Sequence, residues 1–216
     1  MEYISRSIAL ILLFLLFPLN IMIIIICFFS QGPPIFFHQE RVGYMFRPFN
    51  IIKFRTMVEN FGGKITEIED KRVTSFGKIL RASKLDEIPQ LLNIVKGDMR
   101  FIGPRPEVFE YFNEKSFSFL KIIKPGISDF SSILLRNEDK ILFRIGGKNP
   151  YSKLLPIKLD LAKFYSKNKT FYLDLFLVIV TIISIFSPRL SNRILRYILN
   201  KKGLKHVSVF LKSYVL

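Results

Sequence analysis

Two adjacent carboxylates, Asp86 and Glu87, open an apolar series, Leu85, Ile88, Leu91, Leu92 and Val95, that repeats at helical spacing and stops at Gly97. Pro89 is tolerated only in a helix's first turn, where its missing N–H has no partner anyway, so both carboxylates belong to that turn. Acidic residues at such a position are ordinary capping chemistry, and by themselves they call for no other role. Their neighbours add one. In Gly103-Pro104-Arg105-Pro106, two prolines hold the backbone extended around one arginine, a stiff mount for a guanidinium that must meet an oxyanion. Arg81 and Arg100 lie close on either side. A helix N-terminus, a carboxylate pair and several arginines together suit a phosphate-bearing substrate with a metal ion.

The elements that position these residues follow from the hydropathy pattern. Residues 35–57 form short apolar groups broken by Gly43 and Arg47-Pro48, which reads as two extended strands, with Lys53 and Arg55 projecting to one side at period two. A solvated strand face would explain that pair as well as a phosphate would. Residues 58–69 read as a polar loop, and Phe76 to Arg81 as an amphipathic basic helix whose Lys78 and Arg81 face anions. The stretch from Glu107 to Ser118 is expected to be helical, and the polar residues 137–153, with Gly146-Gly147, a loop-like insertion. The twelve-residue apolar run from Leu175 to Phe186 is too short to span a bilayer but suits a helix in the interface or the core.

The first thirty residues are different in kind. No formal charge occurs from Ser7 to Gln39, a length sufficient to cross a bilayer as one helix. No short-residue cleavage site follows, so the run reads as a retained anchor rather than a signal peptide. Pro18 and Asn20 sit mid-run, where a straight spanning helix has least use for them. Nearly all Lys and Arg follow the anchor, beginning at Arg41, which puts the remainder on the cytoplasmic side.

With 216 residues, the chain is long enough for one domain with a real core and hardly for two. A net charge of +16 calls for anionic partners. Nucleic acid is disfavoured, because the basic residues are spread without a DNA- or RNA-binding motif. The single cysteine, Cys27, has no intrachain partner, and Cys27, His38 and His206 are too scattered for a zinc site.

The segments Lys53-Phe54-Arg55-Thr56-Met57, Leu85-Asp86-Glu87-Ile88-Pro89-Gln90-Leu91, Lys96-Gly97-Asp98-Met99, Gly103-Pro104-Arg105-Pro106-Glu107 and Lys124-Pro125-Gly126-Ile127 occur in one order. In that order they resemble the bacterial sugar transferases, the monotopic polyprenyl-phosphate phosphoglycosyl transferases, over about residues 1–187. The resemblance implies an α+β, mostly helical fold: an N-terminal re-entrant membrane helix kinked at Pro18 (1–34), a small membrane-associated catalytic domain with interfacial amphipathic helices (35–187), then a basic C-terminal tail (188–216) suited to anionic lipid. It also implies transfer of a sugar-1-phosphate from a nucleotide sugar to polyprenyl phosphate, with Mg²⁺, at the cytoplasmic face of the inner membrane of a bacterium. Asp86 matches the family's nucleophile and Glu87 its metal-associated neighbour. Successive helical positions point about 100° apart, so the two can address different atoms. Arg81 and Arg105, with Lys53 or Arg55, are expected at phosphate oxygens; Gly103, just before Pro104 and Pro106 in the Gly-Pro-Arg-Pro run, is expected to admit close backbone approach, and Asp98 to orient Arg105 or support the metal shell.

Membrane phospholipid is the further partner expected, and a homodimer is left open. Two departures stand out. Phe17-Pro18 replaces the family's Ser-Pro pair, and Asp129-Phe130-Ser131-Ser132-Ile133 replaces a tryptophan-containing stretch, bearing on either substrate choice or lipid contact. The rival reading is a non-catalytic membrane protein that keeps the fold and only holds lipid phosphate.

Overall fold

The structure, a computed structural model, describes residues 2–58 and 72–215. The loop expected at 58–69 lies outside them apart from Val58. The chain opens with two helices, α1 (Glu2–Leu15) and α2 (Phe17–Gln31), which meet at a 61° bend. Pro18 sits in the first turn of α2, where it cannot donate back into α1, and the ladder resumes with Asn20 N–H on the Leu16 carbonyl at 2.8 Å. No single described helix is long and apolar enough to cross a membrane; by length and composition the bent pair suits a broken span or a re-entrant loop.

Both arms of the bend rest on the rest of the chain. Ala9, flanked by Leu12, Leu13 and Leu16, packs with Ile51, Leu91, Ile94 and Met99, whereas Ile23 and Cys27 pack with Phe54 and Leu80. Phe14, Leu15, Phe17 and Phe29 stay exposed around the bend and on its outer side.

Strands β1 (Phe36–Val42) and β2 (Pro48–Phe54) form the expected antiparallel hairpin, in register Phe36 with Phe54 and Phe37 with Lys53. Helix α3 (Ser75–Ser83) follows, its N-terminus capped by Thr74 Oγ1, which accepts the Gly77 N–H at 2.9 Å. A side chain at Gly77 would stand 2.2 Å from the Thr56 carbonyl, so the missing Cβ is what lets α3 press onto the end of the hairpin.

The helix expected across the carboxylate pair is divided. Lys84, at φ +61°, ends α3, and Leu85–Gln90 is a 3₁₀ turn; only from Leu91 does α4 (Leu91–Lys96) run, stopped by Gly97 at φ +89°. Pro89 has no N–H to return to the Leu85 carbonyl, and the tighter turn accommodates that loss.

Beyond it, β3 (Arg100–Ile102) and β4 (Gly126–Ser128) pair in parallel. A Cβ on Gly126 would lie 2.2 Å from the Gly103 nitrogen, so the two glycines permit one backbone to ride on the other. Gly103 therefore has a structural use in the strand contact, separate from any approach to a ligand.

Two expectations about the intervening segments are corrected. From Glu107 to Phe117 the only helical element described is a short 3₁₀ turn, Phe109–Tyr111, with a second one, Ser118–Lys121, just beyond; Phe109, Phe112 and Phe117 are held by contacts among their own rings and with Phe46 rather than along a helix face. Residues 137–153 are not a loop: α6 (Glu138–Ile145) turns Ile141, Leu142 and Ile145 into the core, and after a Gly146-Gly147 break α7 (Pro150–Asn168) begins with Asn149 Oδ1 accepting the Ser152 N–H at 3.3 Å.

The main core gathers α5 (Phe130–Leu134), α6, α7 and α8 (Phe171–Phe186) around Phe130, Leu154, Leu161, Tyr165 and Leu177. Helices α9 (Pro188–Lys201) and α10 (Lys205–Tyr214) complete it, burying Leu195, Leu199, Val207 and Leu211 in the same cluster. Basic residues of the C-terminal segment thus sit on helices whose apolar faces belong to the core. Helix α8 faces two ways: Leu177 and Val180 are buried, while Ile179, Ile182 and Phe186 remain exposed. The described residues form an α+β, mostly helical fold with two small sheets.

Candidate active site

The left-handed Lys84 turns the chain so that the short 3₁₀ segment presents Asp86 and Glu87 towards the hairpin and the Pro104-Arg105-Pro106 segment. Glu87 Oε1 accepts from Lys53 Nζ at 2.8 Å and from Arg105 Nη2 at 2.9 Å. Sequence positions 53, 87 and 105 thereby meet at one oxygen. Burial pushes the Glu87 carboxyl up, but Lys53 and Arg105 outweigh it and hold Glu87 well below the usual carboxylate range. Arg105 is raised in return, chiefly by Glu87, and Lys53 is lowered by burial that Glu87 only partly offsets.

Asp86 is the opposite case. It is buried, and its Oδ1 has no hydrogen-bond partner among the described residues. Burial raises its pKa against the pull of Lys53, and the neighbouring Glu87 charge raises it further. A desolvated carboxylate with one oxygen free of hydrogen bonds, beside a cation cluster, suits a nucleophile, since the lone pairs of Oδ1 are engaged by no described donor.

The other expected residues divide. Arg81 is aimed across the start of α3, donating from Nε to Thr56 Oγ1 at 2.9 Å and from Nη2 to Met57 Sδ at 3.0 Å, close enough for its charge to act on Asp86. Arg55 turns away: its Nη2 donates to the Gln31 and Gly32 carbonyls at 2.7 and 2.5 Å, while Gln31 Nε2 donates back to the Arg55 carbonyl. It fastens the end of α2 to the hairpin. Asp98 meets Asn93 Nδ2 at 3.4 Å, and Asn93 also bonds the β2 backbone at Ile52 and Asn50. The partner of Arg105 is Glu87, not Asp98.

Sequence reasoning missed a second acidic centre. Glu107, buried, accepts from Tyr151 Oη and from the Val108 N–H at 3.1 Å, and pairs with Arg41 and Lys158 at 3.4 Å each. Burial opposes its charge, yet Lys158, Tyr151 and Arg41 hold its pKa below the ordinary value, and burial beside Glu107 pushes the Tyr151 phenol up. Glu107 stands two residues from Arg105 on the same extended segment; the only local sign of it was a carboxylate closing the Pro-Arg-Pro run.

Glu87, Arg105 and Lys84 line one end of a cavity of about 360 Å³. Leu12 of α1, Leu16 at the bend and Ile185 of α8 supply apolar wall, while Ser128, Ser132 and Thr181 line it with hydroxyls. Asp86, on the same turn as Glu87, is not part of that lining. For a divalent cation the donor set is the adjacent pair alone, because no group of three or more His, Cys, Asp or Glu side chains gathers among the described residues. Mg²⁺ takes one or two protein carboxylates and completes its shell with water and phosphate oxygens, so Glu87, whose two cation contacts both fall on Oε1, fits it through Oε2.

The chain is similar to known proteins along most of its length. The family model described as bacterial sugar transferase matches residues 2–188. The chain is 35% identical over 155 residues to the "Uncharacterized sugar transferase EpsL" of Bacillus subtilis (strain 168), covering 70% of this chain and 69% of that protein. It is 33% identical over 178 residues to the UDP-N-acetylgalactosamine-undecaprenyl-phosphate N-acetylgalactosaminephosphotransferase of Aeromonas hydrophila, covering 79% of this chain and 40% of that one. With the UDP-glucose:undecaprenyl-phosphate glucose-1-phosphate transferase of Xanthomonas campestris pv. campestris it shares 30% over 194 residues, 86% of this chain and 38% of that one. The chain thus spans well under half the length of the latter two relatives. A match across 2–188 takes in both arms of the N-terminal bend, the hairpin, the acidic turn and the Arg105 segment, and on that ground the chain belongs to the bacterial sugar transferase family.

Proposed function

We propose that this protein is a phosphoglycosyl transferase that moves a sugar-1-phosphate from a UDP-sugar to undecaprenyl phosphate, through a covalent intermediate on Asp86, at the start of a surface polysaccharide. The observation that carries the reading is the contrast within one turn: Glu87 gathers Lys53 and Arg105, while Asp86 Oδ1 is buried without a partner.

In the first displacement, an Asp86 carboxylate oxygen attacks the β-phosphorus of the donor. The bond from that phosphorus to the bridging oxygen breaks, uridine monophosphate leaves with the electron pair, and an acyl phosphate bearing the sugar remains. In the second, a phosphate oxygen of the acceptor attacks the same phosphorus and the bond to Asp86 breaks, which releases polyprenyl diphosphate sugar and restores the carboxylate. Splitting the transfer avoids driving one phosphate anion directly onto another. Arg105, fixed by the Glu87 contact and by flanking prolines, faces the phosphoryl oxygens with its remaining donors, and Lys53 keeps the site cationic. Mg²⁺, held by Glu87 and the diphosphate, would neutralise charge on the leaving group.

We read the bent α1–α2 pair as re-entrant, entering and leaving the lipid by the cytoplasmic face of the inner membrane. The support is that both arms dock on one domain: Glu2 pairs with Lys124 at one end, and the Gln31 carbonyl takes Arg55 at the other. A straight crossing would carry one of these contacts to the far side.

The test is turnover of a UDP-sugar panel with undecaprenyl phosphate and Mg²⁺, followed as uridine monophosphate release, together with intact mass after exposure to donor alone. A sugar phosphate on Asp86 is expected. Product formation with no such adduct, trapped or steady-state, overturns the covalent route, and nucleotide-sugar turnover absent throughout favours a non-catalytic holder of lipid phosphate.

A further inference from the structure

Helix α8 and the β4–α5 corner meet at a cluster of hydroxyls on the cavity side away from α1. Thr181 Oγ1 donates its proton to the Leu177 carbonyl at 2.6 Å. Ser128 Oγ lies 2.7 Å from Thr181 Oγ1, and with the threonine proton already committed, Ser128 must be the donor. Ser132 Oγ accepts the Asp129 N–H at 2.7 Å and gives its own proton to the Asp129 carbonyl at 3.0 Å, within a capping box that also holds the Asp129 carboxylate.

The third side of the triangle is the informative one. Ser128 Oγ and Ser132 Oγ stand 3.3 Å apart, close enough for either to donate to the other. Because the Leu177 and Asp129 carbonyls take hydroxyl protons from the same cluster, oxygen lone pairs there stay open to a donor on a ligand. Arg136, also in the lining, spends only two of its five N–H groups, on the Ser184 and Ala82 carbonyls at 2.5 and 2.7 Å. This wall of the cavity therefore sets hydroxyl oxygens beside guanidinium donors. A prenyl chain laid on it would leave those groups unpaired, whereas a ligand rich in hydroxyl or amide groups would pair them.

Arg105 in the lining decides which part of a ligand arrives there. A volume of about 360 Å³ lies within the range of small-ligand sites, roughly 300–1,000 Å³, and it adjoins the guanidinium that would meet the phosphoryl oxygens. The group next to the transferred phosphoryl is the hexose. We propose that Ser128, Ser132 and Thr181 form the subsite for the sugar ring of the donor and select it by accepting from one of its hydroxyl or acylamino N–H groups. The inference rests on the transferase reading above. It gives the segment at 129–133, where the family's tryptophan-containing stretch is replaced, a role in substrate choice rather than in lipid contact.

Thr181→Val keeps the shape but removes the acceptor of Ser128, which frees a serine proton into the cavity and turns part of the wall into a donor. Ser128→Ala removes one acceptor outright. Uridine monophosphate release is measured for the full-length unmodified protein, both variants and Thr181→Ser with UDP-glucose, UDP-galactose, UDP-N-acetylglucosamine and UDP-N-acetylgalactosamine. The expected result is a fall of roughly tenfold in kcat/KM for the preferred donor. The spread between best and worst donors should narrow, the KM for undecaprenyl phosphate stay unchanged, and Thr181→Ser recover the preference. Donor ratios that stay as in the unmodified protein overturn the subsite, as does a change confined to the KM for undecaprenyl phosphate. Lack of turnover by the unmodified protein strikes the transferase reading itself, and this inference with it.

Discussion

Two acidic centres flank Arg105, and they are built on opposite rules. At Glu107 every requirement of a buried carboxylate is met, by Arg41, Lys158, Tyr151 and a backbone N–H. At the Asp86–Glu87 turn, one carboxylate takes the cations and the other is left with an oxygen that no described group hydrogen-bonds. A satisfied buried charge holds a structure together; an unsatisfied one stores reactivity at some cost in stability. Under the proposed function, this difference gives Glu107 to scaffold and Asp86 to chemistry, although both are buried.

The sharpest way to break that assignment is Asp86→Asn. Uridine monophosphate release should drop by about 10⁴-fold or more, with the thermal midpoint unchanged or higher, because no partner is lost. Next is Glu107→Ala, which strands Arg41 and Lys158 and should cost about 3–5 kcal/mol in denaturant titration, the fraction still folded keeping its donor preference. If instead Asp86→Asn unfolds the protein and Glu107→Ala only slows it, the roles are reversed. Glu87→Gln should lower kcat by about 10²-fold through loosened Lys53 and Arg105, leaving stability less affected than at Glu107.

The smallest effects sharpen the scaffold side. Tyr151→Phe should cost about 1 kcal/mol. Because the folded-state pKa of Glu107 is depressed, its contribution is fully present above its ordinary value and disappears as pH falls through the lowered one. Glu107→Gln should therefore flatten the acid limb of a plot of thermal midpoint against pH, while matching the parent's slope near neutrality.

How much of this could be read from the sequence depended on distance along the chain. Asp86, Glu87 and the Arg105 mount belong to one short stretch with proline and glycine punctuation, and Lys53 showed itself by strand alternation. Arg55 obeyed the same alternation yet turned to the Gln31 and Gly32 carbonyls, since β2 ends at Phe54 and the next residue answers to α2. Glu107 drew partners from positions 41, 151 and 158, a meeting no local pattern records. Helix α6 was hidden because polar residues outnumbered the three that bury, and the 3₁₀ turn because hydropathy cannot tell it from a helix start. The contribution of residues 188–215 to the core was likewise veiled by their charge.

One detail of the N-terminal bend carries further. Leu12 and Leu16 are wall of the same hollow that Arg105 and Glu87 floor. What looks like a tether is hence also masonry: a water-soluble truncation beginning after residue 34 would lack one side of its own binding chamber, and a detergent that splays the bend would empty the chamber without touching a single catalytic side chain.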